Sequence, residues 1–303
     1  STLMNQLVGE RISIATFNPT ERYTKNERRF VMKHLLSLAL MGAGACALCV
    51  MPSFQKHPLQ RKFFHRCFAH RGLFDNQTRC ENSLSAFEAA AQAGYGIELD
   101  LQMTADGKIV VFHDDDLQRM CSSPLVIEQA TYAQLQEYNL GETFEKIPLF
   151  SQVLAQVNGR VPLIVEIKST ERIERTCLKV YDLLRNYPGD YCIESMNPLI
   201  MGWFAKNEPQ IMRGQLATHI PSKGTPLTAI SAAALGGMMF NILSKPHFIA
   251  YDHRFAQDSH SFSFCKSCGA LTVGWTIREQ DYEAAIHQYD AIIFEGFLPP
   301  VRF

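Results

Sequence analysis

From about residue 64 to the end of the chain, short runs of β-branched and apolar residues alternate with longer stretches whose apolar positions recur at helical spacing. The runs Arg66 to Ala69, Gly96 to Met103, Leu163 to Ile167, Tyr191 to Glu194, Met212 to Leu216, Phe248 to Tyr251, Ala270 to Trp275 and Ala291 to Phe294 predict eight strands. Helical periodicity predicts Ser83 to Ala93, Arg172 to Asn186, Pro198 to Lys206 and Glu279 to Gln288 as helices between them. Eight strands alternating with helices predict an α/β fold, a (β/α)8 barrel rather than an open doubly wound sheet. In such a barrel, chemistry collects at the C-terminal ends of the strands.

One segment breaks the alternation. The run Ile109 to His113 follows Gly96 to Met103 across Thr104-Ala105-Asp106-Gly107, which is too short for a helix and rich in turn residues. Asp-Gly between two apolar runs predicts a hairpin inserted after the second strand. With a two-residue loop at Asp106 and Gly107, Ala105 pairs with Lys108, and Asp100 then stands opposite His113. That register puts the side chains of residues 98, 100 and 113 on one face; a slip of one residue would turn His113 to the other.

The region before the barrel has no such rhythm. Residues 1–33 read as a polar tail, and Met32-Lys33 resembles a natural start, which marks residues 1–31 as a possible upstream extension. Residues 34–52 contain an uncharged, mainly apolar run from Leu35 to Met51, and residues 53–63 form a basic linker to the catalytic barrel at 64–303. The run suits either a short membrane anchor or the core of a signal peptide. The basic residues after it favour an anchor, hence membrane association through residues 35–51; a secreted or cytoplasmic protein is the alternative.

With 303 residues, 47% of them hydrophobic, the chain can bury one large core. A formal net charge of -1 provides no long-range attraction for nucleic acid, so no nucleic-acid partner is expected and any phosphate contact must be local. Nine scattered cysteines read as mostly free thiols, and the Cys46/Cys49 and Cys265/Cys268 spacings carry no metal motif. The sequence sets no oligomeric state.

The candidate chemistry lies on the predicted strand ends. Glu98 and Asp100 put two carboxylates on one side of a strand that otherwise reads as buried, and Glu166 repeats the pattern in another. Burying like charges is costly without a cation between them. Three carboxylates with no Cys or His pattern point to a hard divalent cation, Mg²⁺ or Ca²⁺. His70-Arg71-Gly72 ends the first strand: Arg71 can grip phosphate oxygens, and Gly72 permits close backbone approach. Lys168, on the same strand face as Glu166, can pair with a phosphate or neutralise the acids. Two histidines, His70 and His113, flanking a scissile P–O bond can serve as base and acid. The run Asp114-Asp115-Asp116 reads as a solvated turn.

In this combination the residues resemble the glycerophosphodiester phosphodiesterase family. The likeness rests on His70-Arg71-Gly72, Glu81-Asn82-Ser83, Gly96-Ile97-Glu98-Leu99-Asp100, Thr104 with Asp106-Gly107, and His113-Asp114. It continues through Glu166-Ile167-Lys168, Glu194-Ser195-Met196-Asn197-Pro198, Gly274-Trp275-Thr276 and Asp290-Ala291-Ile292-Ile293. The resemblance implies a TIM-type barrel that hydrolyses glycerophosphodiesters to glycerol 3-phosphate and an alcohol. It implies His70 and His113 as the acid/base pair, Glu98, Asp100 and Glu166 as metal ligands, Arg71 and Lys168 as phosphate-binding residues, and Trp275 in the glycerol pocket. Three positions depart from the family pattern. Cys80 stands where proline is usual, Met196 where phenylalanine is usual, and Phe294-Glu295 where Thr-Asp is common, which leaves the role of Glu295 open. Two other functions compete: hydrolysis of membrane lysophospholipids in the manner of a lysophospholipase D, and an inactive, membrane-tethered binding barrel.

Overall fold

The computed structural model of the chain describes residues 42–220 and 234–303. By contacts the chain divides into Ser1–Ala45 and Cys46–Phe303. Much of the apolar run at 35–51 lies outside the described residues; within it, residues 42–50 are helical. Among the described residues, no helix is long and apolar enough to cross a membrane. All nine cysteines are free thiols, and Cys265 is buried with its Sγ against the Val50 carbonyl, at 3.3 Å.

The second unit is a closed parallel barrel with one added strand. Its strands are β1 (Arg66–Ala69), β2 (Gly96–Met103), β3 (Ile109–Val111), β4 (Leu163–Ile167), β5 (Tyr191–Ser195), β6 (Arg213–Ala217), β7 (Phe248–Asp252), β8 (Leu271–Ile277) and β9 (Ala291–Phe294). They run in the order β1-β9-β8-β7-β6-β5-β4-β2-β3, and a β1–β2 pairing closes the ring. The eight barrel strands are those the sequence pattern predicts, four with the predicted ends and four with ends shifted by a residue or two.

Helices cover the outside: α1 (Gln60–Phe63), α2 (Leu84–Ala93), α3 (Phe150–Val157), α4 (Ile173–Leu184), α5 (Pro198–Asn207), α6 (His260–Ser267) and α7 (Tyr282–Gln288). Their starts follow from local chemistry. The Ser83 side chain accepts from the Ala86 amide at the head of α2, and Asn197 caps α5 ahead of Pro198.

Strand alternation separates two cores. Outward residues such as Leu99, Val165, Ile193 and Ile249 pack under the helices. Inward residues, among them Phe68, Ile164, Cys192, Met212, Phe248 and Leu271, fill the lower barrel, and Phe63 of α1 packs with them, its ring 5.2 Å from that of Phe68. Gly96 and Gly214 make room for these aromatics, because a Cβ would lie 2.3 Å from the Phe68 ring at the first and 2.2 Å from the Phe248 ring at the second.

The inserted hairpin corrects the expected register. Leu101 pairs with Val111, Gln102 with Val110 and Met103 with Ile109, so Asp100 stands opposite Phe112, not His113. The loop is longer by one residue than the two-residue turn expected. Gly107, at φ +79°, donates to the Thr104 carbonyl at 3.0 Å, and the Thr104 amide donates to Lys108 at 2.9 Å. These are the marks of a three-residue loop closed by a left-handed glycine, which the Asp-Gly signal serves equally well. Val110 and Phe112 join a separate small core with Leu117, Ile127, Leu135 and Ile147. β3 ends at Val111, two residues before His113, so strand alternation no longer sets the direction of that side chain.

The lower end of the barrel carries a buried histidine with a measurable consequence. His247 is 6% exposed, and its Nδ1 accepts from the Arg213 amide at 3.3 Å. Burial, aided by Arg213 and His57, lowers its pKa to about 3. A histidine whose folded pKa lies below its unfolded value of roughly 6.5 takes up protons on unfolding. The fold therefore loses stability as pH falls from 6.5 toward 3. Denaturant melts in EDTA should show His247→Gln losing about 2 kcal/mol less than the parent between pH 7 and pH 4.5. Parallel losses in the two proteins would contradict this account.

Candidate active site

Barrel geometry turns a sequence rhythm into a site. Inward positions two residues apart climb each strand toward the mouth, and the apolar lower level gives way to charge: Phe68 then His70, Glu98 then Asp100, Glu166 then Lys168, Glu194 then Met196, Val273 then Trp275, Ile293 then Glu295. Parallel pairing sets Asp100 beside Glu166, and Glu166 beside Glu194. The resulting cavity, about 220 Å³, is lined by His70, Arg71, Glu98, His113, Glu166, Lys168, Glu194, Met196 and Trp275, among others. All the sequence-expected site residues except Asp100 line it directly, and Asp100 pairs with Lys168 in its wall.

Glu98, Asp100 and Glu166 are buried, each offering an oxygen within 4.8 Å of the others. Burial and the neighbouring acids Asp100, Glu166 and Glu194 push Glu98 well above the usual carboxylate range. Glu166 is pushed up to about 7 by burial, which Asp100 reinforces and Lys168 opposes. Asp100 goes the other way: burial raises it, but the Lys168 and Arg71 cations outweigh burial and hold it ionised. Lys168 Nζ lies 2.7 Å from Asp100 and 2.9 Å from Glu166. An all-oxygen set with two carboxyls resisting ionisation fits a hard divalent cation, whose charge would relieve that penalty.

The turn after β1 is built around the same acids. Arg71 has φ +56°, and its amide donates to Glu98 at 3.1 Å. Gly72 follows at φ +85°, where a Cβ would meet the Ala86 backbone at 2.9 Å. The Arg71 guanidinium donates to Glu81 at 2.7 Å and lies 3.4 Å from Asp100, while Asn82 donates to Asp100 at 2.8 Å. The Glu81-Asn82-Ser83 motif thus orients Arg71, supports Asp100 and caps α2. Cys80, the first departure from the family pattern, is buried and donates its thiol to the Leu140 carbonyl at 3.1 Å.

Each histidine engages a carboxylate through Nδ1. His70 meets Glu295 at 2.5 Å, and Glu295 is held by Arg278 at 2.6 Å; His113 meets Asp114 at 2.6 Å, and Asp114 is held by Arg119 at 2.6 Å. Such partners fix ring orientation and leave Nε2 for chemistry. His70 Nε2 lies 3.9 Å from Glu98. Burial lowers the pKa of His113, with Asp100 acting in the opposite sense. Arg119 also donates to Glu81 at 2.9 and 2.6 Å, linking the support of His113 to that of Arg71.

Asp114, read from the sequence as part of a solvated turn and of the His113-Asp114 motif but given no role, is thus a partner of His113, and Glu194, given no role of its own by the sequence, lines the cavity. The inward period-2 position of Glu194, two before Met196, is the signal that could have found it. Asp114 lies beyond the end of its strand, where period alone says nothing, and Glu295, though in step with Ile293, shows its part only through its contact with His70.

Comparison with known proteins agrees with this geometry. The model of the glycerophosphoryl diester phosphodiesterase family matches residues 70–297. A glycerophosphodiester phosphodiesterase from Caldanaerobacter subterraneus subsp. tengcongensis is 34% identical over 232 residues, covering 72% of this chain and 88% of that protein. One from Bacillus altitudinis is 35% identical over 117 residues, covering 36% of this chain and 47% of that protein, so the match spans about half of its length. An Oleispira antarctica phosphodiesterase, solved with sn-glycerol-3-phosphate as product, shares the fold at a TM-score of 0.63 and 22% identity, covering 78% of this chain and 94% of that one. Matched by the family model from His70 through nearly the whole barrel, and by the Caldanaerobacter protein over most of both chains, this chain belongs to the glycerophosphoryl diester phosphodiesterase family.

Proposed function

We propose that the protein hydrolyses glycerophosphodiesters to glycerol 3-phosphate and an alcohol, with His70 and His113 as the acid/base pair. The observation that carries this reading is the pair of carboxylate-oriented histidines lining one cavity with Arg71, Lys168 and the buried acids. Glu98, Asp100 and Glu166 would hold Mg²⁺ or Ca²⁺. When bound, such an ion supplies Lewis-acid polarisation of a phosphoryl oxygen.

The remaining steps belong to the chain's own groups. Arg71 and Lys168 bind the diester's nonbridging oxygens, where charge accumulates during transfer. One imidazole takes the proton of the nucleophile and the other protonates the departing alkoxide: attack by water gives glycerol 3-phosphate directly, whereas attack by the free hydroxyl of the glycerol moiety gives a cyclic phosphate that water opens to glycerol 3-phosphate in a second step. Trp275 lines the cavity and would flank the glycerol moiety of the substrate. Glu295 and Asp114 keep each ring in the tautomer that presents Nε2.

The test is incubation with glycerophosphocholine and measurement of glycerol 3-phosphate and choline. Turnover should vanish in EDTA and return with Mg²⁺ or Ca²⁺. Turnover that survives exhaustive chelation would remove the metal from the mechanism, and no release of glycerol 3-phosphate under any cation would remove the activity. The apolar run at 35–51 favours a second reading, in which the barrel is tethered to a membrane and acts on lysophospholipids. Lysophosphatidylcholine assayed in parallel, together with co-sedimentation on lipid vesicles, decides between the two.

A further inference from the structure

The outer face of the barrel between α4, α5 and the four-residue helix Asn241–Ser244 is open and largely apolar. Leu199, Ile242 and Leu243 are 54%, 48% and 48% exposed, and with the half-buried Trp203 they line a groove of about 770 Å³. Several large apolar side chains left in water along one groove mark a surface that is covered in use. The charged residues of the lining are Lys206, Lys245 and Glu174, two cations against one acid. An apolar strip with a net cationic margin suits a partner that is apolar inside and anionic at its surface.

The place where the apolar run joins the barrel points to the same partner. Near the end of that run, the Val50 carbonyl accepts from the Asn241 side chain at 2.7 Å and from the Cys265 thiol at 3.3 Å, and the Ser53 amide donates to the Pro246 carbonyl at 2.8 Å. The chain is thus stitched to both ends of the short helix that presents Ile242 and Leu243. Leu48, two residues before Val50, is itself 60% exposed. An uncharged, mainly apolar segment therefore enters the barrel beside the groove, on the one stretch of chain that also carries exposed apolar side chains at 242 and 243.

We propose that this face of the barrel docks on an anionic lipid bilayer, with Leu199, Ile242 and Leu243 entering the acyl boundary and Lys206 and Lys245 meeting lipid phosphates and carboxylates. The proposal rests on the membrane-tethered reading above and adds to it a second contact, made by the barrel itself. That contact sets an orientation. Leu199 stands in the first turn of α5, three residues after the cavity residue Met196, so the groove begins at the mouth end of the barrel and docking holds the mouth beside the lipid surface.

The chain has two tryptophans, Trp203 in the groove and Trp275 in the catalytic cavity, so Trp275→Phe in the full chain leaves Trp203 as the single indole reporter. This protein is mixed with vesicles of brominated phosphatidylcholine, alone or with about one-third phosphatidylserine, since bromine quenches only an indole close to it. Trp203 should be quenched on the serine-containing vesicles and several-fold less on the neutral ones. Adding Ile242→Ser with Leu243→Ser should reduce the quenching about 5-fold or more. Lys206→Ser with Lys245→Ser should bring the anionic vesicles down to the neutral level, and carries the test if the first pair does not fold. Co-sedimentation with the same vesicles reads the tether separately. Sedimentation with Trp203 unquenched overturns the docking face and leaves the tether standing, whereas a protein that does not sediment removes both. Equal quenching in the parent and both paired variants also overturns the proposal. So does a dimer in vesicle-free solution that the Ile242 and Leu243 substitutions dissociate, which would give the face to a second copy of the chain.

Discussion

His113→Ala is expected to lose on the order of 10³-fold in kcat against a glycerophosphodiester, with little change in thermal stability. The side chain is one-third exposed and belongs to none of the buried apolar clusters, so its removal opens no cavity in them. What it removes is the imidazole that Asp114 and Arg119 hold at the mouth. A second variant separates position from chemistry: Asp114→Asn keeps the ring but alters the partner that sets its tautomer, and should cost about 10- to 100-fold. The pH profile adds an independent check, since loss of one member of an acid/base pair removes one limb of a bell-shaped kcat/KM curve. Full activity in His113→Ala, or an unchanged two-limbed profile, would exclude His113 from proton transfer.

Much of this site is legible in the sequence because a barrel strand is a simple object. An inward residue is followed two positions later by another, so Glu98 with Asp100, and Glu166 with Lys168, fall on shared faces by their spacing alone. The strand runs are legible for the same reason, being apolar on the helix-facing side at Leu99, Val165 and Ile193. Legibility ends where the ladders end. Asp106-Gly107 announces a hairpin but does not distinguish a two-residue loop from a three-residue one, and that single residue moves the partner of Asp100 from His113 to Phe112. His113 nevertheless lines the cavity, because it lies two residues beyond β3 and its direction is set by Asp114 and the surrounding packing. Hairpin register is therefore not what brings His113 to the site. Glu295 illustrates the other limit. Its contact with His70 joins residues 225 positions apart, and only closure of β9 against β1 makes that pair visible.

The acids at the centre should respond to substitution in opposite senses, although all three are expected to hold the same ion. In the ion-free protein Asp100 is ionised, held below its ordinary range by Lys168 and Arg71 despite burial. A folded pKa below the unfolded one contributes stability above the ordinary carboxylate range, and that stability is lost as pH falls. Asp100→Asn should therefore cost about 3 kcal/mol at pH 7 in EDTA, because Lys168 and Arg71 lose the charge that compensates them in a buried setting. Glu98 is the reverse case. Burial and three neighbouring acids raise it, so its stability contribution is complete below the ordinary carboxylate range and is lost as pH rises through the raised value. Glu98→Gln keeps the acceptor for the Arg71 amide and removes the repulsion, so at pH 7 in EDTA it should be as stable as the parent or more so. Added Mg²⁺ or Ca²⁺ should raise the melting temperature of the parent but of neither variant, and both should lose on the order of 100-fold or more in kcat. Equal destabilisation of the two variants in EDTA would refute the charge balance described for the ion-free site. A metal-dependent rise in melting temperature equal to the parent's, in either variant, would remove that residue from the metal-binding set.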